Sequence, residues 1–314
     1  MAVPFEMWLG FHDNFACGQK NTKFVFLFGK TNLILIDKIF HKMFRKLYYL
    51  LPVTLRYTAR KIFYYPIDLL KKRSELVPPS GLIYTGGGDF EKQGKDWLLF
   101  FKQHGNLNEN SNILDIGSGI GRIAIPLVDF LKGDYYGFDA VKQGVDWCNS
   151  KIASKYPNFH FLFVDLFNDL YKNKGIDAST YQFDFKENYF DLACAISVFT
   201  HMIPPEVENY FIETNKILKK DGKLIATFFI LDDESKKLMV QNQGFNFEIS
   251  FGEYAIIDKK VVSANVAYDK DFLYKMIEKQ GFIVDNRFNG YWCGRNKSDC
   301  VDFQDVLVLK KSES

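Results

Sequence analysis

An α/β fold, a mostly parallel sheet with helices on both faces, is predicted by three observations. Short apolar runs alternate with segments of helical periodicity from about residue 90 onward. The first run ends in a loop with glycine at alternate positions, Gly117, Gly119 and Gly121, which reads as strand, tight turn and helix. The last two runs have no helical segment between them, so they can pair as an antiparallel edge.

Residues 1 to about 32 give weak signals. From Leu33, apolar residues recur every three or four positions (Ile36, Ile39, Met43, Leu47, Leu50), opposite Lys38, Lys42, Arg45 and Lys46, until Pro52. A shorter helical stretch through Leu55, Ala59 and Ile62 is predicted to end near Pro66, and Val77 to Gly81 reads as a stiff linker. The chain therefore divides into an N-terminal helical extension, residues 1–80, and a main domain, residues 81–314. Within the latter, helices are predicted over 90–104, 121–131, 141–155, 204–219 and 269–280. Strands are predicted over 112–116, 134–139, 159–164, 190–197, 223–229, 282–287 and 302–309, a seven-stranded sheet, with Asp221-Gly222 as the turn before the fifth. Residues 231–263 form an insertion after the fifth strand, where lids are commonly built.

Composition narrows the class. The 314 residues are 47% hydrophobic, ample for a core, and the net charge of +2 says nothing about partners. Five cysteines lack metal-ligand spacing and read as free thiols of a reducing compartment. No run reaches the roughly 18 apolar residues of a membrane span, and Glu6, His12 and Asp13 interrupt the only early apolar stretch. A cytoplasmic protein is expected, without a metal.

In such sheets ligands lie outside the carboxyl ends of the strands, so the residues that follow each strand matter most. The first strand carries Asp115 and leads into Gly117-Ser118-Gly119-Ile120-Gly121, whose third glycine comes one residue earlier than in the dinucleotide fingerprint. The second ends at Asp139, 24 residues past Asp115, where a carboxylate can accept from a ribose diol. The third is followed by Asp165-Leu166, an acid for an adenine amino group and an amide for a ring nitrogen. The fourth is followed by Ser197-Val-Phe-Thr-His-Met202. This order of motifs, over roughly Leu107 to Phe229, resembles the class I S-adenosylmethionine (SAM)-dependent methyltransferases, whose fold is a Rossmann-like sheet. The resemblance implies that Gly117, Ser118, Gly119 and Gly121 line the methionine end of SAM. It also implies that Asp115 contacts the amino group through water, that Asp139 holds the ribose, that Asp165 and Leu166 hold the adenine, and that Ser197 lies beside the cofactor.

Methyl transfer from an activated sulfonium is mainly in-line positioning of the acceptor, and a hydroxyl acceptor is helped by a general base. His201, after the fourth strand, is the candidate base; its alternative is to bond a backbone carbonyl. Tyr254 in the insertion, with Trp292 and Arg295 in the last turn, are candidate substrate-binding residues, the aromatic for stacking and the guanidinium for an anion. Further blocks, Ser197–Met202, Asn209–Gly222 and Trp292–Arg295, resemble bacterial small-molecule methyltransferases of sugars, glycans or lipid precursors. A hydroxyl of such a compound is the leading acceptor. Alternatives are a small amine, or SAM binding without turnover. An NAD-dependent oxidoreductase is disfavoured by the glycine spacing. Base methylation of DNA is disfavoured because no Asp/Asn-Pro-Pro-aromatic motif follows the fourth strand.

Between Lys38 and Arg73 there are ten Lys/Arg against one acid, Asp68. The amphipathic segment 33–73 suits packing on the main domain or a second subunit, or contact with an anionic membrane surface. Nucleic acid is the least favoured partner.

Overall fold

The structure, a computed structural model, describes residues 53–70, 72–84, 86–167, 174–241 and 245–312. The helical reading of residues 33–52 lies outside the described residues. The chain forms two compact units, which meet at Phe90/Glu91, about ten residues beyond the expected boundary.

In the first unit, helix α1 (Val53–Leu70) continues through Pro66, where the sequence predicted a stop. Pro66 is exposed, so the hydrogen bond it cannot donate lies on the solvent side, where a bent helix tolerates the loss. The expected linker is also tied down. The Asp68 carboxylate accepts the backbone N–H of Ser80 (2.7 Å) and Gly81 (3.1 Å), and a Cβ on Gly81 would stand 2.9 Å from the Lys61 Cα. Only glycine allows that approach.

The second unit is the predicted α/β domain. Its main sheet contains β1 (Ile113–Ile116), β2 (Tyr135–Asp139), β3 (Phe159–Phe163), β4 (Phe190–Ala195), β5 (Leu218–Phe228), β10 (Phe282–Phe288) and β11 (Asp305–Lys311). Their order is β10-β11-β5-β4-β1-β2-β3. β11 runs antiparallel to both β5 and β10, and the other pairs are parallel. The helices are α2 (Phe90–His104), α3 (Ala124–Leu127), α4 (Lys142–Cys148), α5 (Pro204–Ile217), α6 (Asp233–Gln241) and α7 (Lys270–Lys279). β1 is buried along its whole length, as a central parallel strand must be. α5 starts with two prolines, and Glu206 reaches back to the Ile203 N–H (2.7 Å). α7 is capped by Asp269, which accepts from the amides of Asp271 and Phe272.

Three features depart from expectation: the helix expected over 121–131 is the single turn α3, and two more concern strands. β5 begins at Leu218 rather than Lys223: Leu218 pairs with Phe190 and Lys223 with Leu192, so Lys219 to Gly222 bulges from the ladder, with Asp221 at φ +61°. The insertion is a second sheet, of β6 (Ile230–Leu231), β7 (Ile249–Ser250), β8 (Tyr254–Ile256) and β9 (Val266–Asp269), in the order β6-β9-β8-β7. Phe229, Phe247, Ala267 and Trp292 pack into its apolar core. No helix among the described residues is long and apolar enough to cross a membrane.

Candidate active site

The main sheet reverses its winding between β1 and β4, and the loops at the carboxyl ends of those strands frame the site. The glycine loop after β1 folds onto β2. The amides of Gly117 and Ser118 both donate to the Phe138 carbonyl (2.9 and 3.0 Å), and Gly119 N–H donates to Asp139 Oδ2 (2.8 Å). Gly117 has φ +75°, and a Cβ there would lie 2.4 Å from Val198 Cγ2, so this glycine lets the segment after β4 close on the loop. Gly121 has φ +86° and faces α4 instead: a Cβ would meet Cys148 Sγ and Ile152 Cδ1, each at 3.0 Å.

Three residues expected at the cofactor turn away from it. Ser118 is buried against Gly137, and its hydroxyl finds no partner among the described residues. Its place inside the turn is set by the two hydrogen bonds that the Gly117 and Ser118 amides donate to the Phe138 carbonyl, which point the side chain at the sheet. Asp115 is 1% exposed; its carboxylate accepts from the Tyr135 hydroxyl and from Cys194 Sγ (3.5 Å). Any influence on a ligand passes through its field, not through contact. The Leu166 amide donates to the Val164 carbonyl (2.8 Å), so it does not offer itself to a ring nitrogen.

Asp139 and Asp165 lie nearer the surface than these three. Asp139 is half-buried, and its two oxygens each accept one amide, Val141 at 2.7 Å and Gly119 at 2.8 Å. A carboxylate oxygen takes a second bond, so both retain a lone pair for a diol. Asp165 is exposed at the end of β3, where its carbonyl accepts from Ile176 N–H (2.7 Å).

The site's electrostatics are one-sided. Burial pushes Asp115 up to about 7 and Asp139 up to about 6. Neither pairs with a cation among the described residues. Two adjacent acids held this way suit a positively charged ligand and oppose a pyrophosphate.

After β4, Ser197 adopts φ +58°, a strained conformation for a residue with a Cβ. It is committed to the protein: its N–H donates to Thr227 Oγ1 (2.7 Å), and its hydroxyl bonds Gln304 Oε1 (3.0 Å). Gln304 and Thr227 escaped the sequence reading. The one available hint was a polar residue inside an apolar strand, since Thr227 is fully buried. His201 closes a turn of Phe199–His201 and has Nδ1 2.8 Å from the Ser263 carbonyl. A carbonyl only accepts, so Nδ1 carries the hydrogen in that bond, and the Ala264 backbone makes a second hydrogen bond with the ring. Burial lowers the His201 pKa from its ordinary value.

Of the expected substrate residues, Tyr254 is half-buried on β8 and stacks on Phe251 (centroids 4.8 Å). Trp292 and Arg295 are structural, a correction to the expectation. Trp292 is buried and donates to Asp305 Oδ2 (2.8 Å). The Arg295 side chain, 6% exposed, bonds Glu234 (2.9 Å), the Gly290 carbonyl (3.1 Å) and Asp305 (3.3 Å). A buried carboxylate demands such partners, and Asp305 holds the β10–β11 turn to the insertion through them.

Residues 114–226 match a family model described as a methyltransferase domain. Those residues of the chain carry a methyltransferase domain. The sterol 24-C-methyltransferase of Candida albicans is 24% identical over 232 residues, 72% of this chain and 57% of that protein. The phosphoethanolamine N-methyltransferase of Plasmodium falciparum is 27% identical over 143 residues, 44% of this chain and 48% of that protein. The chain thus spans about half the length of these curated relatives. A SAM-dependent methyltransferase of Clostridium acetobutylicum of known structure is 14% identical, with a TM-score of 0.47, over 72% of this chain and 93% of that one. The residues of the methyltransferase domain fit SAM: the paired acids Asp115 and Asp139 meet no cation among the described residues, and SAM brings a positive sulfonium and an amino group.

Proposed function

We propose that the protein transfers the methyl group of SAM to a small-molecule acceptor, a hydroxyl of a sugar-, glycan- or lipid-linked compound. Bound SAM supplies an activated methyl group. The chain's part is to hold the ribose at Asp139 and the adenine at Asp165, and to keep Gly117 and Gly119 close against the methionine end. His201 takes the acceptor's proton at Nε2. The observation that carries this reading is the Nδ1 bond to the Ser263 carbonyl, 2.8 Å. It holds the imidazole at the insertion, beyond β4, and burial favours the neutral form, which suits a hydroxyl that must lose a proton as it attacks. Tyr254, also on the insertion, contributes to the acceptor pocket.

An amine acceptor is the second reading, supported by the relative that methylates phosphoethanolamine at nitrogen. Calorimetry with SAM, S-adenosylhomocysteine and NAD tests the cofactor side; binding of NAD alone overturns the reading. Turnover over a panel of hydroxylated and amino acceptors, followed by mass spectrometry of the product, tests the acceptor side. A protein that binds SAM and methylates none of them is a SAM-binding protein without turnover.

A further inference from the structure

Asn265 is a buried amide with nothing to bond. The residue is 2% exposed, and its Nδ2 is enclosed without a hydrogen-bond partner among the described residues. Nearly all buried polar groups are paired, because one left unpaired has lost its water for no return. Its place in the fold narrows its purpose. Asn265 follows the short turn Val262–Ala264 and precedes β9. In that turn the Ser263 carbonyl accepts from His201 Nδ1 (2.8 Å), and the Ala264 backbone bonds the same ring. The turn Phe199–His201 packs against both Val262–Ala264 and β9. The unpaired amide therefore belongs to the stretch of chain that holds the candidate base.

The protein around it offers no substitute partner. The backbone at Asn265 is extended (φ −166°, ψ 137°), so its side chain shares the side of β9 taken by Ala267, opposite Val266 and Tyr268. That side belongs to the apolar cluster of Phe229, Phe247 and Trp292, whose side chains carry no oxygen. A trapped water needs roughly two to four polar partners, which such a lining does not supply. An apolar lining with a single placed donor is how small-molecule sites fix the orientation of a ligand. A neutral amide in that setting suits an uncharged oxygen better than an anionic one. We propose that Asn265 binds the methyl acceptor, its Nδ2 donating to a hydroxyl or carbonyl oxygen of the compound whose reacting hydroxyl meets His201. The assignment rests on the proposed methyl transfer to a hydroxyl compound. An ammonium group has no lone pair and cannot take that bond, so Asn265 favours oxygen-rich acceptors over amines.

The test compares wild type with Asn265→Leu, which keeps the branched shape without the donor, and with Asn265→Ala, which adds no bulk. The probes are methyl glucoside, glycerol, a monoacylglycerol and ethanolamine, each incubated with SAM, with products read by mass spectrometry. For a hydroxyl probe that wild type methylates, both variants should raise KM by about 5- to 100-fold. The kcat should change less, and the SAM dissociation constant should not change. Without ligand, Asn265→Leu should melt no lower than wild type, since it removes an unpaired amide and no bond. Two results overturn the proposal and leave the methyl-transfer reading standing. One is a KM within twofold of wild type in both variants. The other is an Asn265→Leu protein that loses melting temperature and SAM affinity together, the mark of a purely structural amide. A wild type that binds SAM but methylates only ethanolamine, or none of the probes, overturns the hydroxyl reading and this proposal with it.

Discussion

Replacing Asp115 by Asn should stabilise the protein without ligand, and the gain should depend on pH in a defined way. The carboxyl is fully enclosed, and burial raises it from 3.8 to about 7. Between those values the folded state keeps a proton that the unfolded chain releases, so stability falls as pH rises, by up to about 1.4 kcal/mol per pH unit. Summed over that window, the cost is about 4 kcal/mol at pH 8, or about 2–4 kcal/mol after some relaxation around the site. An Asn side chain keeps the acceptor for the Tyr135 hydroxyl and removes the charge. Urea denaturation of both proteins at pH 5 and pH 8 measures the difference. The variant should be more stable at pH 8, with the gap closing toward pH 5. Equal stability at pH 8, or a gap that does not change with pH, refutes the reasoning. The counterpart is weaker SAM binding by the variant, because the acid's field favours the sulfonium.

The remaining predictions concern neighbouring residues. Gly117→Ala should lose about 1–3 kcal/mol and bind SAM more weakly, because it combines φ +75° with a Cβ 2.4 Å from Val198 Cγ2. Adding Val198→Ala should recover the steric part in a thermal melt and leave about 1 kcal/mol of backbone strain. His201→Ala should leave the SAM dissociation constant unchanged and lower kcat about 10²–10⁴-fold; since the His201 pKa is depressed, wild-type turnover should rise with pH through a value below 6.5 and then stay flat. Asp305→Ala should cost about 3–5 kcal/mol by denaturant midpoint, since it strips the Ile230 and Gly290 amides, Trp292 and Arg295 of a shared acceptor.

Strand–helix alternation, the glycine loop and the acids at successive strand ends were all readable, because each depends on local spacing and backbone chemistry. Side-chain direction was not. Ser118 and Asp115 lie in the right motif, yet both point into the sheet, since the turn's hydrogen bonds to Phe138 and the Tyr135 hydroxyl decide their orientation. Trp292 and Arg295 have the residue types of a binding site, and only the carboxylate of Asp305 beside them shows that they serve the fold. The second sheet was missed because β6 and β7 are two residues each, too short to carry a period.

The sequence by itself determined the glycine loop, the strand-end acids and the α/β layout, because these act through backbone conformation and position in the chain. Tertiary structure alone decided which of those acids meets solvent, what the His201 ring bonds and how the residues after α1 are tied to it. Those properties come from contacts between residues far apart in the chain, such as Tyr135 with Asp115, Ser263 with His201 and Ser80 with Asp68. No local pattern records such pairings before the chain has folded.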